Sequence, residues 1–200
     1  MPPYPLSVAA YLEKLPNGAD TYPDCSVKAS VFRSAMDDRP LGPEVALPPA
    51  VRTLVEDPPP VSVWVPEVHF NVITLGIREV HFGPRGTDEY LGWVYEQNRK
   101  FLSTPLYRAV FLLISPERLL LGMEKRWSSL RRGTAFEHVR RGPTNVDIHV
   151  RSPPHLYSRL LVQGMSVVIR AALDCAGAKG TRVEGDICSP KEVVYHVRWG

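Results

Sequence analysis

The sequence predicts an α+β (α/β) fold in which several helices pack a mainly antiparallel sheet, preceded by a Pro-rich N-terminal arm. Three observations predict it. Thirteen of the 20 prolines lie in the first 66 residues. Two pairs of segments with alternating apolar and polar residues lie at 135–151 and 181–199. One long amphipathic segment separates the two pairs, an order that suits two antiparallel hairpins packed by a helix.

The N-terminal residues 1–60 are predicted to form a Pro-rich segment of short elements wrapped on a core domain that spans residues 61–200. No long helix is expected in "RPLGPEVALPPAVRTLVEDPPP", because each Pro lacks a backbone donor and clashes with the preceding turn. The stretch "CSVKASVFRSAM" (25–36) is expected to form a strand.

Helices are predicted in the middle of the chain. The segments "PEVHFNVITLGIREVHFG" (66–83) and "GTDEYLGWVYEQNRKFL" (86–102) each begin with acidic residues that suit the positive end of a helix. Thr104 and Ser115 each precede a Pro. A capping residue followed by Pro predicts a helix start, so two further helices are expected at these places. The helix that begins at Ser115 is expected to end near Gly133, with Arg131 in its last turn.

The hairpins are predicted from alternation and from turn residues. Val146, Ile148 and Val150 alternate with polar residues, which is typical of a half-buried strand. A Gly-Pro turn precedes this strand and predicts a hairpin with residues 135–141. The long helix lies within 155–180, and the last two strands are predicted at "TRVEGDI" and "VVYHVRW".

Composition limits the function classes. At 200 residues the chain suits one domain, and a net charge of +3 is too small to imply a polyanionic partner. The three cysteines form no CxxC pair, which favours reduced thiols in a cytoplasmic protein. The longest strongly apolar run, Ala109 to Ile114, is too short to cross a bilayer, so no membrane partner is expected.

The basic stretch "EKRWSSLRRGTAFEHVRR" (124–141) raises the question of a nucleic-acid surface, since six of its eighteen residues are Lys or Arg. The predicted elements divide these charges among a helix face, a helix end and a hairpin tip. A basic groove needs its charges on one surface. No nucleic-acid partner is therefore expected.

The run "SPERLLLGMEKRWSSLRRGTAFEHV", with "GPTNVDIHV", "LVQGMSVVIRAALDCAGAKGTRVE" and the terminal "VYHVRW", resembles a family of small proteins of unknown function. That family is found mainly in myxobacteria, with many paralogues per genome. The resemblance covers roughly residues 61–199. Its shared segments are landmarks of fold, and none is a catalytic signature.

The element order also resembles the wider group of heme–nitric-oxide-binding domains, vinyl-reductase-type ligand-binding domains and transport-particle subunits of the Golgi. The resemblance implies a module that binds an apolar ligand or heme between helices and sheet, or that serves in dimerisation. Heme-binding members carry a Tyr-x-Ser-x-Arg motif, whereas Tyr157, Ser158 and Arg159 are contiguous in this sequence. The sequence therefore does not support heme, and no cofactor is predicted.

His138, Asp147 and His149 are the candidate metal ligands. If Val139 pairs with Val146, all three lie on one face of the hairpin and could ligate iron or zinc. The alternative is that they belong to a solvated sheet face, and a shift of one residue in register would separate them. A divalent metal here is the one cofactor that the residues leave open.

Aromatic side chains recur on the predicted apolar faces, and they are candidates for the lining of a ligand pocket. The candidate pocket residues are Trp93, Trp127, Tyr157 and Met165. Core packing is the alternative for each.

Three functions follow from these patterns. The first is a non-catalytic module that binds a small apolar molecule or another protein, has a regulatory role and forms a homodimer. The second is an enzyme or accessory protein of a specialised (natural-product) biosynthetic pathway. The third, nucleic-acid binding, depends on the basic stretch alone. No P-loop, GxSxG, GxGxxG or HExxH motif is present, and this favours the first function.

Overall fold

Seven α-helices and seven strands make up the part of the chain that the computed structural model describes, residues 4–104 and 114–200. The helices are α1 (Leu6–Leu12), α2 (Ser30–Asp38), α3 (Pro49–Glu56), α4 (Glu67–Phe82), α5 (Thr87–Leu102), α6 (Pro116–Leu130) and α7 (Arg159–Cys175). The strands are β1 (Ser26–Lys28), β2 (Trp64–Pro66), β3 (Arg131–Arg132), β4 (Ala135–Gly142), β5 (Asn145–Arg151), β6 (Arg182–Ser189) and β7 (Glu192–Arg198). The α+β prediction is confirmed.

The larger sheet has four antiparallel strands in the order β4-β5-β7-β6. Two hairpins therefore meet along β5 and β7, where Ile148 pairs with Tyr195 and Val150 pairs with Val193. Their apolar side chains face α6 and α7, because alternate residues of a strand point to the same face. This face forms one of two apolar clusters, the C-terminal cluster, together with buried Leu120 of α6 and Leu173 of α7.

The smaller sheet joins the N-terminal segment to the C-terminal half. Its order is β2-β1-β3, so β1 is central and pairs with β3 directly after α6 ends. The prediction that Arg131 lies in the last turn of this helix is wrong. The helix ends at Leu130, and the backbone of Arg131 is extended. The second apolar cluster, the N-terminal cluster, lies beside this sheet and is centred on α4, with Val68, Val72 and Ile73 fully buried.

The strand predicted near the N-terminus differs from the structure. The strand expected over 25–36 ends at Lys28, and α2 follows it. Val31 and Ala35 are four residues apart and both pack on the N-terminal cluster, which is the spacing of a helical face. The helix predicted from Thr104–Pro105 lies outside the described residues. The helix predicted at 66–83 is present as α4.

Candidate ligand-binding groove

A buried ion pair links the two halves of the molecule, namely the part around the apolar cluster centred on α4 and the part around the four-stranded sheet. Glu67 of α4 is fully buried, and it accepts a hydrogen bond from the guanidinium of Arg131 in β3. The hydroxyl of Tyr157 donates a second bond to the same Glu67 oxygen, at 2.8 Å. Burial raises the pKa of Tyr157 to about 12, although the nearby Arg131 charge opposes it. Tyr157 therefore stays a neutral donor, and it packs against both apolar clusters.

A second buried network holds the loop of residues 152–158, which follows β5. Tyr11 of α1 and Asn71 of α4 both donate to the backbone oxygen of Leu156, each at 2.9 Å. Asn71 also donates to the Tyr11 oxygen at 2.9 Å. Burial raises the pKa of Tyr11, so its hydroxyl keeps its proton. The N-terminal helices thus set the position of this loop.

A groove of about 620 Å³ opens beside this loop. It lies between the two halves, with α1 and α4 on one side and the start of α7 and the β6–β7 turn on the other. Its apolar lining includes Leu75, Leu160, Ile187 and Val193, and its charged lining consists of Lys14, Arg78, Arg159 and Glu192. The size falls within the usual range of small-molecule sites, roughly 300–1,000 Å³.

Two polar atoms of the groove wall have no hydrogen-bond partner among the described residues. One is Nε of Arg78, whose Nη2 donates to the Pro84 oxygen at 2.9 Å and to the Thr87 hydroxyl at 2.8 Å. The other is the hydroxyl of Ser158, which precedes α7 and does not cap it. Buried polar groups normally find partners, and both atoms belong to residues that line the groove, although the atoms themselves are closed to solvent.

His155 also lines the groove, with backbone φ at +60°. This left-handed conformation is uncommon for a residue other than glycine, and it often marks a functional site. The His155 amide donates to the Pro190 oxygen at 2.8 Å, which ties the loop to the β6–β7 turn. The imidazole itself is exposed at the groove edge.

The three candidate metal ligands do not share a face. Val139 pairs with Asp147 rather than with Val146, and His138 pairs with Ile148. His138 therefore points to the helix side, where it contacts Glu124 of α6. Asp147 and His149 lie on the opposite face. Among the described residues, no group of three or more His, Cys, Asp or Glu side chains could hold a metal ion.

Asp147 anchors an ion-pair network on this outer sheet face. Arg141 donates to one carboxylate oxygen at 2.7 Å, and His196 contacts the other at 2.7 Å. Burial acts to raise the pKa of Asp147, but the bonds from Arg141 and His196 outweigh it and lower the pKa from its ordinary value. The ionised form is therefore favoured in the folded state.

We expect Asp147→Asn to lower the free energy of unfolding at pH 7 by about 1 kcal/mol, because bonds to an ionised acceptor are lost. A lowered pKa stabilises the fold above the unfolded-state pKa of about 3.9, and that stabilisation disappears as the pH falls through the folded-state value. The difference between the variant and the wild type should therefore vanish near pH 2 in urea unfolding. Asp186→Asn is the control, since that side chain is 69 % exposed. A difference that stays constant with pH would contradict the prediction.

The candidate pocket residues lie in separate places. Trp93 packs with Phe82 of the N-terminal cluster, and its indole donates to Asp38 at 2.7 Å. Trp127 stacks on Phe136, and Met165 packs against the same C-terminal cluster. Tyr157 is the one of the four that lines the groove.

The groove residues that the sequence analysis missed are Lys14, Arg78, His155, Ser158 and Arg159. One of them carries a local signal: Ser158 stands before a long helix, and no Glu or Gln follows three positions later to complete a capping box. Lys14 and Arg78 lie far away in the chain, so only the fold brings them to the groove.

A family model described as a protein of unknown function (DUF2378) matches residues 93–200. No curated protein sequence matches the chain. Among the described residues, no helix is long and apolar enough to cross a membrane.

Several solved structures are similar to this fold. A Fe(II) unliganded H-NOX protein from K. algicida is 11 % identical with a TM-score of 0.53, and the match covers 86 % of this chain and 96 % of that one. A mutant of the same K. algicida protein is 12 % identical with a TM-score of 0.51 and the same coverage. A third structure, which comes from work on modulating heme redox potential through protein-induced porphyrin distortion, is 12 % identical with a TM-score of 0.48. That match covers 96 % of each chain. These identities are too low to show more than a shared fold.

The prediction that there is no cofactor, and that heme in particular is unsupported, is wrong in view of these structures, which are H-NOX heme proteins. It depended on the contiguous spacing of Tyr157, Ser158 and Arg159. Three residues are a small part of a fold that aligns over most of the chain, so their spacing alone does not exclude heme.

Proposed function

We propose that this chain, which belongs to the DUF2378 family of proteins of unknown function, is a non-catalytic ligand-binding module of a sensor type. The observation that supports it is the groove between the two halves, with two polar wall atoms that lack partners among the described residues. A ligand there would lie against Arg78 and Ser158, the two residues that carry these atoms.

The groove also offers a route from binding to response. Its wall includes the 152–158 loop, which Tyr11 and Asn71 hold from the N-terminal half. Tyr157 continues from this loop to the buried pair of Glu67 and Arg131. A ligand that contacts both walls therefore stabilises one arrangement of the halves over others.

Heme is one ligand to test in this groove. Heme iron is held by His, Met, Cys or Tyr side chains. Tyr11 and Tyr157 already use their hydroxyls, whereas the exposed His155 imidazole at the groove edge could ligate the iron. Arg159 and Lys14 could bind the carboxylates. The groove residues thus fit a heme, and a bound heme would supply an iron centre for a diatomic gas.

The proposal predicts a co-purified or added small molecule in the groove. Native mass spectrometry of the purified chain should show a bound small molecule, and a hemin titration followed by absorbance tests heme directly. Ala10 of α1 lines the groove and is exposed, so Ala10→Trp should fill the space without disturbing the core and abolish ligand binding.

Ala9→Trp is the matched control, because Ala9 is also exposed on α1 but does not line the groove. It should bind like the wild type. The proposed function would be rejected if no small molecule binds, or if Ala10→Trp binds as well as Ala9→Trp. His155→Ala should weaken hemin binding if that imidazole ligates the iron.

The finer properties stay predictions. They are a regulatory role, homodimerisation, a cytoplasmic location and restriction of the family to myxobacteria with many paralogues. Light scattering coupled to size-exclusion chromatography tests the dimer, and a survey of genomes tests the distribution.

A further inference from the structure

We infer that the groove selects a small organic acid, with its anionic head at the start of α7 and its apolar body along the wall formed by Leu75, Leu160 and Ile187. The inference rests on the proposed function, since it names the class of ligand for the same groove. Three independent features of the wall support it.

The first feature is an excess of positive charge. Lys14, Arg78 and Arg159 come from three different segments and line one groove. The one carboxylate among its lining residues, Glu192, is already engaged by His149 at 3.2 Å and Arg151 at 3.6 Å. Glu79 lies outside the lining; it accepts bonds from the backbone of Leu6 and Ser7 and from the Ser7 hydroxyl, and its charge partly balances Arg78. The lining itself keeps a net positive charge, which attracts an anion.

The second feature is the start of α7. Its first bond within the helix joins the Val162 amide to the Ser158 oxygen at 3.0 Å, so the amides before Val162 have no acceptor inside the helix. A serine in this position normally accepts a hydrogen bond from one of those amides, but the Ser158 side chain makes no such bond. The amides of this first turn can therefore donate to an anion, which the positive end of a 17-residue helix also favours.

The third feature is apolar. Ile187 of the edge strand β6 is 47 % exposed at the rim of the groove. Leu75 and Leu160 continue this apolar surface inside. Inorganic phosphate or sulfate would leave Leu160 and Ile187 in contact with water, whereas the hydrocarbon part of an organic acid would cover them. The combination thus favours an amphipathic acid over a simple ion.

Calorimetric titration of the full chain with matched eight-carbon probes tests the inference. Octanoate should bind at least tenfold more tightly than octan-1-ol, and octylamine should not bind. Inorganic phosphate should bind more weakly than octanoate. Arg159→Gln should weaken octanoate binding roughly tenfold, the effect of one charged hydrogen bond, and leave octan-1-ol unchanged. Arg159 is exposed, so this variant should fold normally.

Arg126→Gln is the charge-matched control, because Arg126 is exposed on α6 and does not line the groove. Octanol binding equal to octanoate, or unchanged octanoate binding by Arg159→Gln, would overturn the inference and leave the proposed function intact. Phosphate binding as tight as octanoate would overturn the apolar part. If none of the probes binds and Ala10→Trp matches Ala9→Trp, the proposed function fails as well.

Discussion

Glu67→Gln is expected to lower the free energy of unfolding by about 3–5 kcal/mol, which is a large share of the roughly 5–15 kcal/mol of a typical domain. The substitution keeps the shape of the side chain and its ability to accept the Tyr157 bond. It removes the charge that balances Arg131, whose side chain is 7 % exposed beside a Glu67 side chain that is fully buried. The guanidinium would then remain buried between the Phe70 and Trp127 rings, 5.5 Å from each centroid, without a counter-ion.

Urea unfolding followed by circular dichroism measures this loss. Glu137→Gln is the control, because Glu137 pairs with Arg151 at 3.2 Å while both side chains are at least half exposed. An exposed pair contributes about 0–1 kcal/mol, so this variant should stay close to the wild type. Arg131→Met alone should also be strongly destabilising, whereas Glu67→Met with Arg131→Met should cost less than the sum of the two. Equal losses in Glu67→Gln and Glu137→Gln would contradict the prediction.

The same ion pair connects stability to the proposed binding. Tyr157 donates to Glu67 and also lines the groove, so its position depends on the pair. A variant that loosens Glu67 or Arg131 without unfolding the chain should therefore bind octanoate less tightly. The junction between the halves, and not either half alone, sets the shape of the groove.

The elements with local signals could be predicted from the sequence. The helix α4 follows from Pro66 and Glu67, and the strand β5 follows from the alternation of Val146, Ile148 and Val150. Each signal lies within a few residues of the element that it specifies. For the same reason the α+β class could be predicted before any contact was known.

The features that could not be predicted depend on contacts distant in the chain. Arg131 looks like a favourable cation at a helix end, yet Glu67, 64 residues earlier, makes it a buried partner in β3. The sequence did not determine the hairpin register to within one residue. The observed pairing of Val139 with Asp147 places His138 on the opposite sheet face from Asp147 and His149. The groove combines side chains from α1, α4 and α7, and no local pattern links them.

Gly133→Ala is expected to be the second most damaging substitution, with a loss of about 2–5 kcal/mol. Gly133 has φ at +74°, a left-handed conformation that an Ala adopts only with strain. An added Cβ would also lie 2.6 Å from Sγ of Cys25 and 2.8 Å from the backbone oxygen of Asp24. That backbone leads into β1, so it can move away only if the pairing of β1 with β3 changes as well.

Gly177→Ala separates the two causes, because Gly177 has φ at +84° and no atom within 4 Å of the added Cβ. It incurs the conformational strain alone, and we expect a loss of about 1 kcal/mol in the same urea experiment. The excess loss in Gly133→Ala then measures the close approach to Asp24 and Cys25. Since β3 carries Arg131 to Glu67, the substitution should also weaken octanoate binding, whereas Gly177→Ala should not. Equal losses in the two variants would mean that the chain around Cys25 yields easily and that the small sheet does not fix the junction.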